Sequence, residues 1–186
     1  QKDGPKVDLQ VATQARRGAK PAKAGWEEVF TADGGPQDAQ ARGWGYVTAS
    51  NGKPTTAMTS AGLTALLVAR SEVGKLGKTE KKLVDEAIRD GVAWFQHNWK
   101  MPQSGYDMYG IERLAVLGNL KSIGTHAWYE ELATELVKTQ VADGTWDSRN
   151  AFPGYGDTAN TALSLLVLCK GTRKAYAQPY SIGEMK

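Results

Sequence analysis

Five stretches of this chain have helical character, and they alternate in kind: the first, third and fifth lack a polar stripe, whereas the second and fourth carry one. The first, residues 56 to about 71, centres on AGLTALLVA, small or apolar on every side. The second, about 79 to 98, gathers Leu83, Val84, Ala87, Ile88, Gly91, Val92 and Phe95 on one stripe and sets Glu80, Lys81, Lys82, Asp85, Glu86 and Arg89 elsewhere. Thr79 stands where it can cap that helix. The third opens on Ser104 and Asp107, a capping-box pattern, and ends at Gly118 and Asn119. In the fourth, about 125 to 141, Trp128, Leu132, Leu136 and Val137 face inward, and Glu130, Glu131, Glu135 and Lys138 do not. The fifth, 157 to 170, contains ALSLLVLC. A helix with no polar stripe is expected to be buried all round.

The order is therefore buried, surface, buried, surface, buried. Met58, Gly105 and Gly156 mark the starts of the buried helices, 47 and 51 residues apart. A repeated pair of one inner and one outer helix accounts for this spacing. The expected fold is all-α, an α/α toroid or partial barrel of about five principal helices. A plain bundle would place a polar stripe on every helix.

The helices fall within residues 41–175, read as the repeat domain. Residues 1–40 are rich in Gly and Pro without sustained periodicity, and are read as a tail or linker with at most a short helix near Trp26 to Phe30. Residues 176–186 are read as a C-terminal tail. The chain of 186 residues is long enough for one sizeable core. A net charge of +3 with interspersed signs does not call for a nucleic-acid partner. The basic run Arg16, Arg17, Lys20 and Lys23 reads as a solvated linker. Cys169 is the sole cysteine, so no disulfide forms within the chain and the compartment stays open between cytoplasm and export. No apolar run reaches the ~20 residues of a membrane-spanning helix. Starting at Gln1 rather than Met suits a processed product or a piece of a longer chain.

The unit Gln140 to Leu168 has a weaker copy at Gln40 to Val68. Setting Ala65-Leu66-Leu67-Val68 on Ser164-Leu165-Leu166-Val167 gives an offset of 99, with Trp44 roughly on Trp146 after small gaps. Gln140-Val-Ala-Asp143-Gly144-Thr-Trp146 resembles the QW repeat of squalene/hopene cyclases and protein prenyltransferase β subunits. MTSAGLTALL, YDMYGIERLAVLG and IGTHAWYEELATELVKTQVADGTW are similar to the prenyltransferase/squalene-oxidase repeats of large bacterial, chiefly planctomycete, proteins. The resemblance covers about residues 43 to 170. It implies half of a toroid, whose other half would be an N-terminal segment. It also implies that Gln140, Gly144, Trp146 and Trp44 are structural, the Gln amide bonding backbone at a neighbouring helix end and the Trp packing beside it.

The chemistry that the resemblance brings to mind is not spelled out in the residues. Class II cyclases protonate an alkene from a D-x-D-D cluster, in which paired carboxylates keep one proton at neutral pH; this chain has no such cluster. Asp157 stands alone at the start of the fifth helix, as a candidate acid or as that helix's first-turn acid. Prenyltransferase zinc needs Asp, Cys and His ligands, but Thr158-Ala159-Asn160 follow Asp157, and Cys169 lies about 18 Å further along the helix. His97 and His126 have no ligand spacing. No metal and no cofactor are expected. A G-x-S-x-G elbow is absent, and Asn51-Gly52-Lys53-Pro54 is not a P-loop.

The remaining candidates for ligand binding are Tyr106, Asp107, Tyr109 and Asn160, which ring one end of the buried helices, and Glu112, one turn or more deeper. Glu112 and Arg113 are adjacent, so one should pair with another helix, most simply through a salt bridge. The reading is a non-catalytic repeat domain that binds an apolar small molecule or a protein partner on a concave surface. The alternatives are a cyclase-like enzyme using Asp157 and, more weakly, a polysaccharide-active toroid with Tyr106, Tyr109, Trp128, Tyr129 and Tyr155 as platforms.

Overall fold

A computed structural model describes residues 4–13, 37–47, 52–72, 76–147 and 156–172. Among these residues lie five helices and four short strands: β1 (Lys6–Leu9), β2 (Val11–Thr13), β3 (Gln37–Gln40), α1 (Thr56–Glu72), α2 (Lys78–Asn98), α3 (Gly105–Leu117), β4 (Leu120–Ile123), α4 (Trp128–Thr139) and α5 (Gly156–Cys169). Helix dominates. Trp26, Phe30, Tyr155, the basic run at 16–23 and the tail at 176–186 lie outside the described residues.

Local chemistry sets the helix ends. Ser104 caps α3 reciprocally: its Oγ accepts the Asp107 amide at 3.1 Å and donates to the Asp107 carboxylate at 3.0 Å. The helix stops at Gly118, followed by Asn119 in the left-handed region at φ 48°. Thr79 does not cap α2. The Gly77 carbonyl already accepts Lys81 N at 2.9 Å, so Gly77 is the cap and Thr79 sits inside the first turn. Helix α4 is shorter than the periodicity suggests. An isolated bridge between Ile123 and His126, turning at Gly124 (φ 60°), holds the chain out of helix before Trp128.

Helix α3 is the centre. Helices α1 and α5 pack along it, α2 packs on α1, and α4 contacts both α3 and α5. The close approaches rely on small residues. A Cβ at Gly110 would press on Ser60 Oγ of α1, and one at Gly105 would stand 2.7 Å from the Asn160 carbonyl of α5. Between the layers lie Leu63, Ile88, Val92, Ile111, Leu114 and Leu132, all fully buried or nearly so. Each contributes about 1.5–3 kcal/mol of apolar burial. Arg70 of α1 and Lys81 of α2 converge on Asp85, at 3.0 and 3.1 Å.

The strands are a correction to the tail assigned to residues 1–40. Strand β1 pairs antiparallel with β3, Val7 opposite Ala39, and β2 pairs with β4, Val11 opposite Ile123. Leu9 and Ala39 join the hydrophobic core. Helix α2 anchors them: Asp90 accepts Gln40 N at 2.9 Å and meets Arg42 at 3.3 Å, while the Gln96 amide donates to Asp8 O and accepts from Gln10 N. Strands of three or four residues with distant partners leave no periodic trace in a sequence.

Two expectations of burial also change. Helices α1 and α5 are not buried all round: Ala61, Ala65 and Ala69 are exposed, and Leu165 and Leu166 are 48% and 39% exposed. In α4, Val137 is 71% exposed. Among the described residues no helix is long and apolar enough to cross a membrane.

Candidate functional site

The Trp turns and the helices that follow them build one end of the molecule. Trp146 is buried, and its indole Nε1 donates to Leu136 O at 2.8 Å, a carbonyl in the last turn of α4 that also accepts Gln140 N at 3.1 Å. Its backbone N–H donates to Thr161 Oγ1 at 3.0 Å. The upstream copy repeats this bond: Trp44 N donates to Thr59 Oγ1, also at 3.0 Å and also fifteen residues apart. Superposing these bonds sets the internal repeat at an offset of 102, which replaces the 99 suggested by the helix alignment. Gln140 does not reach a neighbouring helix; its amide donates to Gly144 O at 2.9 Å within the same turn, and Gly144 takes φ 86° there. Asp143 is exposed, and its hydrogen bonds from Thr145 hold its carboxyl below the usual range, with the Asp157 charge opposing them.

Asn160 joins three elements. Its Oδ1 accepts Gly105 N at the start of α3 at 2.7 Å, and its Nδ2 donates to the carbonyls of Trp146 and Asp147 at 3.2 and 3.1 Å. All its side-chain hydrogens and its carbonyl are thereby engaged in tying helix ends. Asp157 lies exposed in the first turn of α5. Asp107 is half-buried, and burial pushes its carboxyl above the usual range against the hydrogen bond from Ser104.

Glu112 is fully buried in α3 and is not paired with an arginine. It accepts Thr172 Oγ1 at 2.6 Å and Thr172 N at 3.3 Å, just past the end of α5. Burial pushes its carboxyl up; the bonds from Thr172 and the charges of Arg113 and Lys170 oppose that shift. The expected salt bridge to another helix is replaced by hydrogen bonds, because what Glu112 meets after α5 is Thr172 with two donors. Arg113, which points ~100° away, lies over the Tyr109 ring, 5.8 Å from its centre. Tyr106, Tyr109 and Arg113 form the partly open strip of α3, on the side away from buried Met108, Ile111 and Ala115.

Trp146 and Asn160 also border a cavity of about 310 Å³ between α3, α4 and α5. Ser164, Met108 and Glu135 line it as well, and nothing in the sequence pattern singles them out. Their meeting depends on the close approach at Gly105, which spacing does not encode. Among the described residues no group of three or more His, Cys, Asp or Glu gathers to hold a metal ion. No family model, no curated protein and no solved structure matches the chain.

Proposed function

We propose that this chain is a squalene-cyclase/prenyltransferase-like repeat domain, an arc of an α/α toroid with α1, α3 and α5 inside and α2 and α4 outside. On this reading it is not catalytic and holds an apolar ligand or partner on the inner face. The observation that carries the proposal is the α3 strip. Gly110 on one flank meets Ser60 of α1, and Gly105 and Glu112 on the other reach Asn160 and Thr172 beyond it. Between those flanks Tyr106, Tyr109 and Arg113 are partly open. Helices on both sides and an aromatic strip between them suit a concave binding face.

The edges of the layer support the arc. At the offset of 102, exposed Leu165, Leu166 and Cys169 of α5 correspond to Leu63, Thr64 and Leu67 of α1, which are buried. In a toroid the last inner helix of a segment leaves that strip for the next helix pair, which an N-terminal half of a longer chain would supply.

The test is incubation of the purified protein with squalene and with prenyl diphosphates, together with solvent extraction of retained lipid. Binding without turnover, weakened about tenfold or more in Tyr109→Ala, is the expected result. A tenfold loss corresponds to about 1.4 kcal/mol. Turnover that vanishes in Asp157→Asn would overturn the proposal in favour of a cyclase-like enzyme.

A further inference from the structure

One buried group has no role in the architecture described so far. Ser164 of α5 has no exposed surface, and its Oγ has no hydrogen-bond partner. A buried hydroxyl left unpaired is destabilising. The adjacent polar side chain does not satisfy it: the Asn160 amide bonds to Gly105, Trp146 and Asp147 instead. Gly105 keeps the space beside it open: a Cβ there would stand 2.8 Å from Ser164 Oγ.

Ser164 lines the cavity of about 310 Å³. That volume lies at the lower end of the range for small-molecule sites, about 300–1,000 Å³. The cavity is bordered by buried Ser164, by partly buried Glu135 and by the exposed residues Gln103, Thr139 and Val141. Met108, Leu136, Val141 and Trp146 give it apolar walls. The charged side chains among its lining residues, Glu135 and Asp147, are both acidic. The Glu135 side chain is 22% exposed, and its ion pair with the exposed Lys138 is long, at 3.9 Å. The Glu135 carboxylate favours a cation over an anion in such a pocket.

We propose that this cavity binds a small amphipathic amine bearing a hydroxyl at its far end, with the hydroxyl on Ser164 and the ammonium on Glu135. The site lies between α3, α4 and α5 and is separate from the Tyr106–Tyr109 face. It goes beyond the binding reading above and does not depend on it.

Tyramine is the probe, with 2-phenylethylamine and 4-hydroxyphenylacetate as partners that lack the hydroxyl and reverse the charge. Calorimetry on the full chain is expected to show tyramine binding, 2-phenylethylamine about tenfold weaker, the loss of one hydrogen bond, and 4-hydroxyphenylacetate not bound. Glu135→Gln weakens both amines tenfold or more. In Ser164→Ala the two amines bind alike, and the unliganded protein melts about 2–4 °C higher, because an unpaired buried hydroxyl has been removed. No tyramine binding, equal binding of the acid, or a Ser164→Ala protein that melts lower and binds tyramine unchanged would each overturn the proposal.

Discussion

Glu112 shows at the scale of one residue how a buried carboxyl can be kept without a counter-ion. Both its oxygens accept from Thr172, and that pair ties the middle of α3 to the residues after α5. Burial raises its pKa, so the folded protein holds this proton more tightly than the unfolded chain does. Stability contributed by such a group is present at low pH and is lost as pH rises from the ordinary glutamate range through the raised value. Glu112→Gln is nearly isosteric, and its amide can still accept from Thr172 N and donate to Thr172 Oγ1. Urea unfolding of both proteins between pH 4 and pH 8 is expected to show the variant losing less stability, or gaining more, than wild type as pH rises. Parallel curves would mean that Glu112 titrates as it does in the unfolded chain.

At the scale of the element, the repeating piece is a Trp turn bonded to a threonine in the first turns of the following helix. Thr59 and Thr161 accept the N–H of Trp44 and Trp146 at the same distance. Thr→Val at either site keeps the shape and leaves an indole residue's backbone N–H unpaired, so each is expected to lower stability by about 1–2 kcal/mol in denaturant titrations. A large cost at one site and none at the other would break the equivalence of the two copies. Much of this was legible: Ser104 with Asp107, Gly118 with Asn119, and both Trp turns are local chemistry written in adjacent residues. What was not legible depended on distant partners. ALSLLVLC states which side chains α5 carries but not what covers them, so Leu165 and Leu166 read as buried and stand exposed. The contact of Gly105 with Asn160 and Ser164 decides both the α3–α5 packing and the cavity, and it joins residues more than fifty positions apart.

At the scale of the whole molecule, the strands decide whether residues 4–13 and 37–40 belong to the domain. Their sequence is Gly- and Pro-rich and reads as a tail, yet Leu9 is 3% exposed and sits in the same core cluster as Ile88, Val92 and Leu120. Strand β2 pairs with β4 in the link between α3 and α4, and the Gln96 amide holds the main chain on both sides of Leu9, at Asp8 O and Gln10 N. A segment bound at a core, at a second sheet and at a helix should unfold with the body rather than before it. Leu9→Ala removes a buried leucine side chain and is expected to lower global stability by about 2–4 kcal/mol. The far-UV signal of the helices and the fluorescence of buried Trp128 and Trp146 should shift together to a lower midpoint with an unchanged m-value. A helical transition that keeps its wild-type midpoint would instead make the strands an appendage, and the domain would begin at α1. The coincident shift is the expected outcome because β1, which carries the leucine, packs on α2 as well as on β3, so the cavity it leaves opens against the helical core.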